Sequence, residues 1–232
     1  AGVFERVYET APVYRAELSH TNRHLAEYMS LDAELAFIKD DSDVMDVQER
    51  LVRHMMQQAA EECAPEFSLL GASPARAEEP FPRIPLLAAR ELVRERYGHE
   101  SGGKDLDPEA ERLIGRWALE EHGSDFVFVT AYPQAARPFY TFPVEGGLTR
   151  GLDLIFRGTE ISSGGQRAHR HEVLLQELAN RKLDATDFSS YLDVFRHGMP
   201  PHGGFAIGAE RLTALLLGIS NVRFARAFPR DA

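Results

Sequence analysis

Residues 150–167 read RGLDLIFRGTEISSGGQR, and this stretch decides the fold that the sequence predicts. LDLIF and TEISS are two strand-like runs separated by a short loop at residues 156–158. So short a connection indicates an antiparallel hairpin. The first run is almost entirely apolar, whereas the second continues into serines, glycines and an arginine. A polar strand beside a core strand predicts that the hairpin forms the floor of a binding site.

A second stretch, EYMSLDAELAFI at residues 27–38, alternates between apolar and polar side chains. Its apolar face comprises Met29, Leu31, Ala33, Leu35 and Phe37, and its polar face comprises Tyr28, Ser30, Asp32 and Glu34. A period of two residues predicts a half-buried strand in an antiparallel sheet. Further strand-like runs lie at residues 3–17, 126–132, 139–144 and 203–208.

Residues 41–125 are dominated by the helical spacing of apolar side chains. Helices are predicted at residues 41–62, 86–98 and 107–123, and a connector with four prolines at residues 71–85. Pro108 near the start of the third helix and Gly123 at its end are typical of helix boundaries. Later helices are predicted at residues 166–182, 189–198 and 209–219, the last of them capped by Gly218.

These patterns predict an α+β fold, and the length of the chain permits one large domain or two small ones. The core of the predicted fold is an antiparallel sheet flanked by helices, with a mainly helical insertion at about 41–125. The chain lacks an initiator Met and begins within a strand-like run, so we expect it to be a fragment.

The charge balance limits the functions that the chain can have. Its 36 acidic and 26 basic side chains give a net charge of −10, which argues against a broad basic surface for nucleic acid. No run of about 18 apolar residues is present, so no transmembrane helix is predicted. The single cysteine, Cys63, excludes an internal disulfide framework and fits a reducing cytosol. We expect its side chain to be a small buried hydrophobe on a helix.

Two carboxylates of the hairpin are candidates for a metal site. If the hairpin is centred between Phe156 and Arg157, Asp153 lies directly opposite Glu160, and with a two-residue turn at Arg157 and Gly158 the two lie diagonally on the same face. Only a loop with an odd number of residues would separate them. Two carboxylates there repel each other unless a cation lies between them, and Mg²⁺ prefers such oxygen ligands together with substrate phosphates. Two solvated carboxylates that bind nothing are the alternative.

Gly164 and Gly165 weaken a strand but allow a ligand or another backbone to approach closely. Strict alternation places Arg167 on the face opposite Glu160, so a bend at the glycines is needed to bring both into one pocket. An arginine held there could bind a carboxylate through two donors.

Two further groups of residues could bind a nucleotide. Arg15 and Glu17 share one strand face, and Tyr28 and Asp32 share the polar face of the next strand. Such a surface could stack an adenine on Tyr28 and bind a phosphate and an amino group. A hairpin with a solvated polar face is the alternative.

The second group lies in the stretch MPPHGGFAIGAERL at residues 199–212. Its glycine-rich strand runs into a helix with Arg211 in the first turn, a position that favours anions. Arg211 as an ordinary surface residue is the alternative.

Taken together, these motifs resemble a known family. YRAE at 14–17 with EYMSLDAE at 27–34 resembles motif 2 of class II aminoacyl-tRNA synthetases, and GGFAIGAERL at 203–212 resembles motif 3. DLIFRGTEISSGGQR at 153–167 and GMPPHGGF at 198–205 resemble the archaeal type of the aspartyl-tRNA synthetase branch. The resemblance covers nearly the whole chain, although motif 1 and the anticodon-binding OB-fold have no counterpart in it.

The resemblance implies one partial class II catalytic domain over residues 1–232, with an antiparallel sheet flanked by helices that binds a bent ATP and Mg²⁺. The implied ATP-binding residues are Arg15, Glu17, Arg23, His24, Tyr28, Glu160, Ser163, Gly208 and Arg211. Arg15, on the α-phosphate, and Arg211, on the γ-phosphate, are the implied catalytic pair. The implied ligands of aspartate are Asp32 for the amino group, Arg167 for the side-chain carboxylate, and Gly204. The implied metal ligands are Asp153, Glu160 and Ser163.

The implied activity is that of an aspartate–tRNA ligase, which activates L-aspartate with ATP and transfers it to the 3′ end of tRNA. A non-discriminating enzyme would charge tRNA-Asn as well as tRNA-Asp. The implied partners are the tRNA acceptor end, L-aspartate and a second copy in a homodimer, and the implied location is the cytoplasm. Two alternatives stay open: an asparaginyl-tRNA synthetase, and a non-ligase paralogue that makes a free amide or only binds nucleotide.

Overall fold

The computed structural model describes residues 2–16, 21–77 and 80–230. The strands are β1 Arg6–Tyr14, β2 Glu27–Ala36, β3 Arg83–Pro85, β4 Phe126–Thr130, β5 Pro143–Val144, β6 Leu148–Thr149, β7 Gly151–Phe156, β8 Thr159–Arg167 and β9 His202–Gly208. The helices are α1 Asp41–Glu62, α2 Ala64–Leu70, α3 Leu86–Tyr97, α4 Pro108–His122, α5 His171–Asn180, α6 Ser189–Arg196 and α7 Ala209–Leu216.

One sheet organises the described part of the chain, with the strand order β1-β2-β9-β8-β7-β4-β3. Its neighbours pair antiparallel except for β3 and β4, which pair in parallel at one edge. The predicted class, a sheet flanked by helices, is therefore confirmed, but the sheet is mixed rather than wholly antiparallel. The parallel strand β3 lies inside the stretch predicted as a connector, because its residues pair with the distant β4.

Helix boundaries follow local capping chemistry. The Asp40 carboxylate accepts a hydrogen bond from the Ser42 amide at the start of α1. The Asp107 carboxylate does the same for two amides of α4, which ends at Gly123 in the left-handed conformation. Residues 41–125 contain α1 to α4 as well as β3, and their description as an insertion stays a prediction.

Four local predictions are wrong. Phe37 does not continue the apolar face of β2: it has φ of 59° and is 69% exposed, because the strand ends before it. The helix predicted from Gln166 begins only at His171, because Gln166 and Arg167 belong to β8. The strand predicted at residues 139–144 is reduced to Pro143–Val144. Cys63 is exposed at the junction of α1 and α2 rather than buried.

Two apolar layers cover the two faces of the sheet around β4 and β7. Phe126 and Phe128 pack on one face with residues of α1, whereas Val127 and Val129 pack on the other with residues of α3 and α4. This alternation along β4 is the expected pleat of a strand that is buried on both sides. Because both faces of the sheet are covered at β4 and β7, we expect an open site further along the sheet, towards β8, β9 and β2.

A β-bulge in the β7–β8 hairpin sets which residues share a face. Arg157 and Gly158 form the two-residue turn, both with positive φ, and Ile155 pairs with Glu160. The register then shifts by one residue, so that Leu154 pairs with Ser162 and Asp153 with Ser163. Because paired residues share a face, Asp153, Glu160 and Ser163 come to lie together.

The bulge also corrects the prediction for Arg167. Arg167 follows Ser163 at a spacing of four residues on the same strand, so the shifted register places both on one face. A bend at the glycines is therefore not what brings Arg167 to the side of Glu160. Gly165 serves close backbone approach instead: it has φ of 143°, and a Cβ there would lie 2.3 Å from the Arg150 carbonyl oxygen.

Candidate active site

A cavity of about 390 Å³ opens over β8, β9 and the start of β2. The predicted site residues that line it are Arg15, Arg23, His24, Tyr28, Glu160, Ser163, Arg167, Gly208 and Arg211. The sheet thus brings together side chains from three separate sequence motifs. Asp32, Gly204 and Asp153 lie beside the cavity without lining it, and Glu17 lies outside the described residues.

At one end of the cavity, Arg15 and Tyr28 form a cation–π pair. The guanidinium carbon of Arg15 lies 5.3 Å from the centre of the Tyr28 ring. The Arg15 amide donates to the Ala26 carbonyl, which continues the β1–β2 pairing up to this point. A flat aromatic base could stack on the ring while the guanidinium contacts a phosphate, since both groups belong to the lining of one cavity.

Arg211 projects from the first turn of α7 and connects the β1–β2 loop to β8. Its Nη1 donates to the Glu160 carbonyl at 2.8 Å, and its Nη2 donates to the Arg23 carbonyl at 3.2 Å. The same guanidinium lies 4.0 Å from the Glu160 carboxylate. His24, on the loop itself, shares a hydrogen bond with the Thr21 hydroxyl. Arg211 therefore holds the loop in place while its charge stays within the cavity.

Glu160 has an unusual acidity for a carboxyl group. Its side chain keeps 38% of its surface open to the cavity, yet the concave walls leave little bulk water around it. Burial, followed by the charge of Asp153, raises the pKa of Glu160 to about 7. The two predicted metal ligands thus interact electrostatically, and a cation between them would favour the ionised form of Glu160.

Arg137, which was not among the site residues predicted from the sequence, lies at the predicted metal position. Arg137 ion-pairs with Asp153 through Nη2 and donates from Nη1 to the Ser163 hydroxyl at 3.0 Å. Its guanidinium carbon lies 3.5 Å from the centre of the Tyr132 ring. Arg137 lies between a three-residue 3-10 helix, Gln134–Ala136, and Pro138, outside every strand and α-helix, so neither periodicity nor spacing marked it.

The donor set at this position still fits Mg²⁺. Oδ1 of Asp153 is buried without a hydrogen-bond partner among the described residues, and Glu160 and Ser163 supply further oxygens. In the same residues no group of three or more His, Cys, Asp or Glu side chains could hold a metal ion. Two carboxylates and one hydroxyl are fewer oxygens than Mg²⁺ takes, so waters or substrate oxygens would complete the coordination of a metal here.

Arg167 lies at the other end of the cavity, next to an acid of β2. Its Nε donates to Glu34 at 3.0 Å, and its guanidinium carbon lies 5.6 Å from the centre of the Tyr140 ring. Glu34 in turn fills the space beside Gly204, where an added Cβ would lie 1.8 Å from its Oε2. The glycine is therefore required for Glu34 to reach Arg167. Glu34 was noted in the sequence only as part of the polar face.

Asp32 does not line the cavity itself but contacts a residue that does. Its carboxylate accepts from the hydroxyl of Ser30, a buried residue that lines the cavity. It also pairs across the sheet with Ala206, another lining residue. Asp32 is itself exposed, so a ligand with an amino group could reach it from the rim of the cavity.

The family described as "tRNA synthetases class II (D, K and N)" matches residues 1–232 of the chain. The chain belongs to the class II tRNA synthetases of the D, K and N group. Among curated proteins it is 57% identical to an aspartate–tRNA(Asp/Asn) ligase of Deinococcus radiodurans, covering 99% of the chain and 54% of that protein. The chain thus spans about half the length of the curated relatives that it matches.

Solved structures of class II synthetases share this fold. The aspartyl-tRNA synthetase of Entamoeba histolytica matches with a TM-score of 0.93 and 33% identity, covering 99% of the chain and 48% of that protein. An asparaginyl-tRNA synthetase of Pyrococcus horikoshii, complexed with asparaginyl-adenylate, matches with a TM-score of 0.87 and 33% identity over 98% of the chain and 52% of that protein. Fold similarity alone therefore does not separate the two amino acids.

Within residues 2–16, 21–77 and 80–230 of this synthetase chain, no helix combines the length and the apolar character that crossing a bilayer requires.

Proposed function

We propose that the chain is the catalytic domain of an aspartate–tRNA ligase. The observation that carries the proposal is that Arg15, Arg211 and Arg167 line one cavity. Two of these arginines flank the surface suited to a nucleotide, and the third lies at the opposite end beside Glu34. The name of the Deinococcus radiodurans relative, at 57% identity, supports the same activity.

ATP would occupy the end that contains Tyr28. Its adenine would stack on the Tyr28 ring, and Arg15 and Arg211 would contact the α- and γ-phosphates. Arg23 and His24 line the wall nearby and would contact the phosphates as well. Guanidinium–phosphate contacts are charge-assisted and directional, so two of them at the two ends would hold the triphosphate in one conformation.

L-Aspartate would occupy the end that contains Arg167. The guanidinium would bind the side-chain carboxylate, and Asp32 would bind the amino group from the rim. Asparagine has nearly the same shape, so charge rather than size would have to discriminate between them. This requirement distinguishes the proposed enzyme from an asparaginyl-tRNA synthetase.

The chemistry would be in-line transfer of the adenylyl group. An oxygen of the aspartate α-carboxylate would form a bond to the α-phosphorus, and the bond from that phosphorus to the bridging oxygen of pyrophosphate would break. The tRNA 3′-terminal ribose hydroxyl would then attack the carbonyl carbon, lose its proton and release AMP. No side chain acts as nucleophile, and Arg15 and Arg211 contribute by positioning and by stabilising charge.

Asp153, Glu160 and Ser163 would hold Mg²⁺ in this enzyme. When bound, Mg²⁺ would neutralise charge on the phosphates. Arg137 already neutralises Asp153 and contacts Ser163. The chain itself would contribute the carboxylates of Asp153 and Glu160 to the metal site, both shielded from bulk solvent.

A homodimer and a cytoplasmic location are part of the proposal. β1 lies at the edge of the sheet, and Val7, Tyr8 and Tyr14 are exposed along it. An edge strand with exposed apolar side chains is a surface that a second copy could cover. Sedimentation of the full-length protein tests this: a monomer at micromolar concentration would contradict it.

The activity is tested by ATP–pyrophosphate exchange with the full-length protein. We expect exchange that depends on L-aspartate and is far weaker with L-asparagine, followed by charging of tRNA-Asp. Charging of tRNA-Asn with aspartate would identify a non-discriminating enzyme, as in the name of the Deinococcus radiodurans relative. Exchange driven by asparagine alone, or a free amide product, would overturn the proposal.

A further inference from the structure

Glu111, on α4, is a buried acid that reaches the cavity wall from outside. Its side chain is 11% exposed, and its Oε2 accepts from Arg23 Nη1 at 2.9 Å. The same oxygen accepts from the Glu160 amide at 3.1 Å. One carboxylate thus connects a helix, the β1–β2 loop and β8.

This carboxylate and Arg211 bridge the same two residues. The Arg211 guanidinium donates hydrogen bonds to the backbone carbonyls of Arg23 and Glu160. The Glu111 carboxylate accepts hydrogen bonds from the Arg23 side chain and from the Glu160 amide. Arg23 and Glu160 are thus each bonded by both side chains, and together Arg211 and Glu111 fix the loop against the strand.

The bridge bears directly on the predicted nucleotide contacts. Arg23 lines the cavity and its side chain is 36% exposed, so its direction is set by what holds it. An unpaired arginine at the end of a loop samples many rotamers, and a charged hydrogen-bond partner reduces that freedom. The bond to Glu111 uses Nη1 of Arg23 and thereby sets the orientation of the whole guanidinium.

We propose that Glu111 is a positioning residue for ATP, which acts by orienting Arg23 and the β1–β2 loop towards the triphosphate. The inference rests on the proposed function, since it assumes that ATP binds in this cavity. It makes α4 part of the nucleotide site, although no residue of α4 lines the cavity.

Glu109 offers a matched control on the same helix. Its carboxylate pairs with Arg112, three residues further along α4, with 43% of its side chain exposed. Replacing Glu109 with Gln removes one negative charge from α4 as the Glu111 replacement does, but touches neither the loop nor β8. A general effect of charge on α4 would therefore appear in both variants.

The test is calorimetric binding of ATP, together with the KM for ATP in exchange, in the full-length protein. Glu111→Gln keeps an acceptor for the Glu160 amide but loses the charge that holds Arg23, so we expect ATP to bind about five- to tenfold more weakly. The KM for aspartate and the melting temperature should stay near those of the parent. Glu109→Gln should match the parent in every measurement.

The Arg23→Ala background separates positioning from a purely structural role. If Glu111 acts through Arg23, adding Glu111→Gln to Arg23→Ala should weaken ATP binding no further. Equal weakening in both backgrounds, or unchanged binding in Glu111→Gln, would overturn the inference. A parent that binds ATP but shows no exchange would contradict the proposed function alone, whereas a parent that binds no ATP would contradict both.

Discussion

Arg167 and Glu34 form an ion pair inside the cavity, with Nε of the arginine 3.0 Å from the carboxylate. The arginine proposed to bind the aspartate side chain therefore already has an anion at one edge. Both side chains are about three-quarters buried, with 23% and 26% exposure. A guanidinium carries five donors, so a second carboxylate can bind through the remaining ones.

This pair sets the expected selectivity for the amino acid. When asparagine binds, Arg167 keeps Glu34 as a partner and is not left as an unpaired buried charge. The loss is then that of one charge-assisted contact, about 1.5–3 kcal/mol, or a preference for aspartate on the order of ten- to a hundredfold. A much larger preference would require another residue to contribute.

Replacing Arg167 with Leu should remove most aspartate activation while ATP binding stays near that of the parent. Arg167→Lys should also be poor, because an ammonium cannot pair with Glu34 and make a planar two-point contact to aspartate at once. Adenylate formation with aspartate and asparagine measures both variants. Full aspartate activity in Arg167→Leu would show that another group binds the side chain.

Replacing Arg15 or Arg211 with Ala should each reduce exchange at least tenfold, since each contact to a phosphate contributes about 1.5–3 kcal/mol. Their effects on stability should differ. Arg211 holds the Glu160 and Arg23 carbonyls, whereas the Arg15 side chain is exposed and stacks on Tyr28. Thermal unfolding should therefore show a loss in Arg211→Ala that Arg15→Ala lacks. Unaltered exchange in both variants would remove the proposed ATP site.

Magnesium should bind weakly without nucleotide and much more tightly with it, because Arg137 already pairs with Asp153 and contacts Ser163. Arg137→Gln removes that competing cation and should strengthen Mg²⁺ binding in the nucleotide-free protein. Isothermal titration of both proteins, with and without a non-hydrolysable ATP analogue, gives the comparison. A tight site in the nucleotide-free parent, or a preference for Zn²⁺, would contradict the assignment.

Glu160 should make stability depend on pH in the ligand-free protein. Burial and the charge of Asp153 raise the pKa of Glu160 from its ordinary value of 4.5 to about 7, so the folded state holds this proton more strongly than the unfolded state. The stabilising contribution is complete below the unfolded pKa and is lost as pH rises through the folded pKa.

Glu160→Gln resembles the protonated carboxyl at every pH and isolates this effect. The melting temperature of the parent minus that of the variant should fall between about pH 5 and about pH 8, in buffer free of divalent metal. A difference that stays constant over this range would show that Glu160 titrates normally in the folded protein.

The sequence by itself determined the elements that depend on local chemistry. Period-two alternation located β2, and the short loop at residues 156–158 indicated the hairpin, because both follow from near neighbours along the chain. Pro108 and Gly123 bounded α4 for the same reason. The motif arginines were also found, since their spacing within each strand or helix is local.

Only the tertiary structure decided which of these residues meet. The bulge between Glu160 and Ser162 changes the face of every later residue of β8, and no pattern in the strand announces it. Glu111 and Arg23 are 88 positions apart, and Arg167 and Glu34 are 133 apart. Such ion pairs exist only after the sheet has formed, because their geometry depends on strand order and register rather than on residue type.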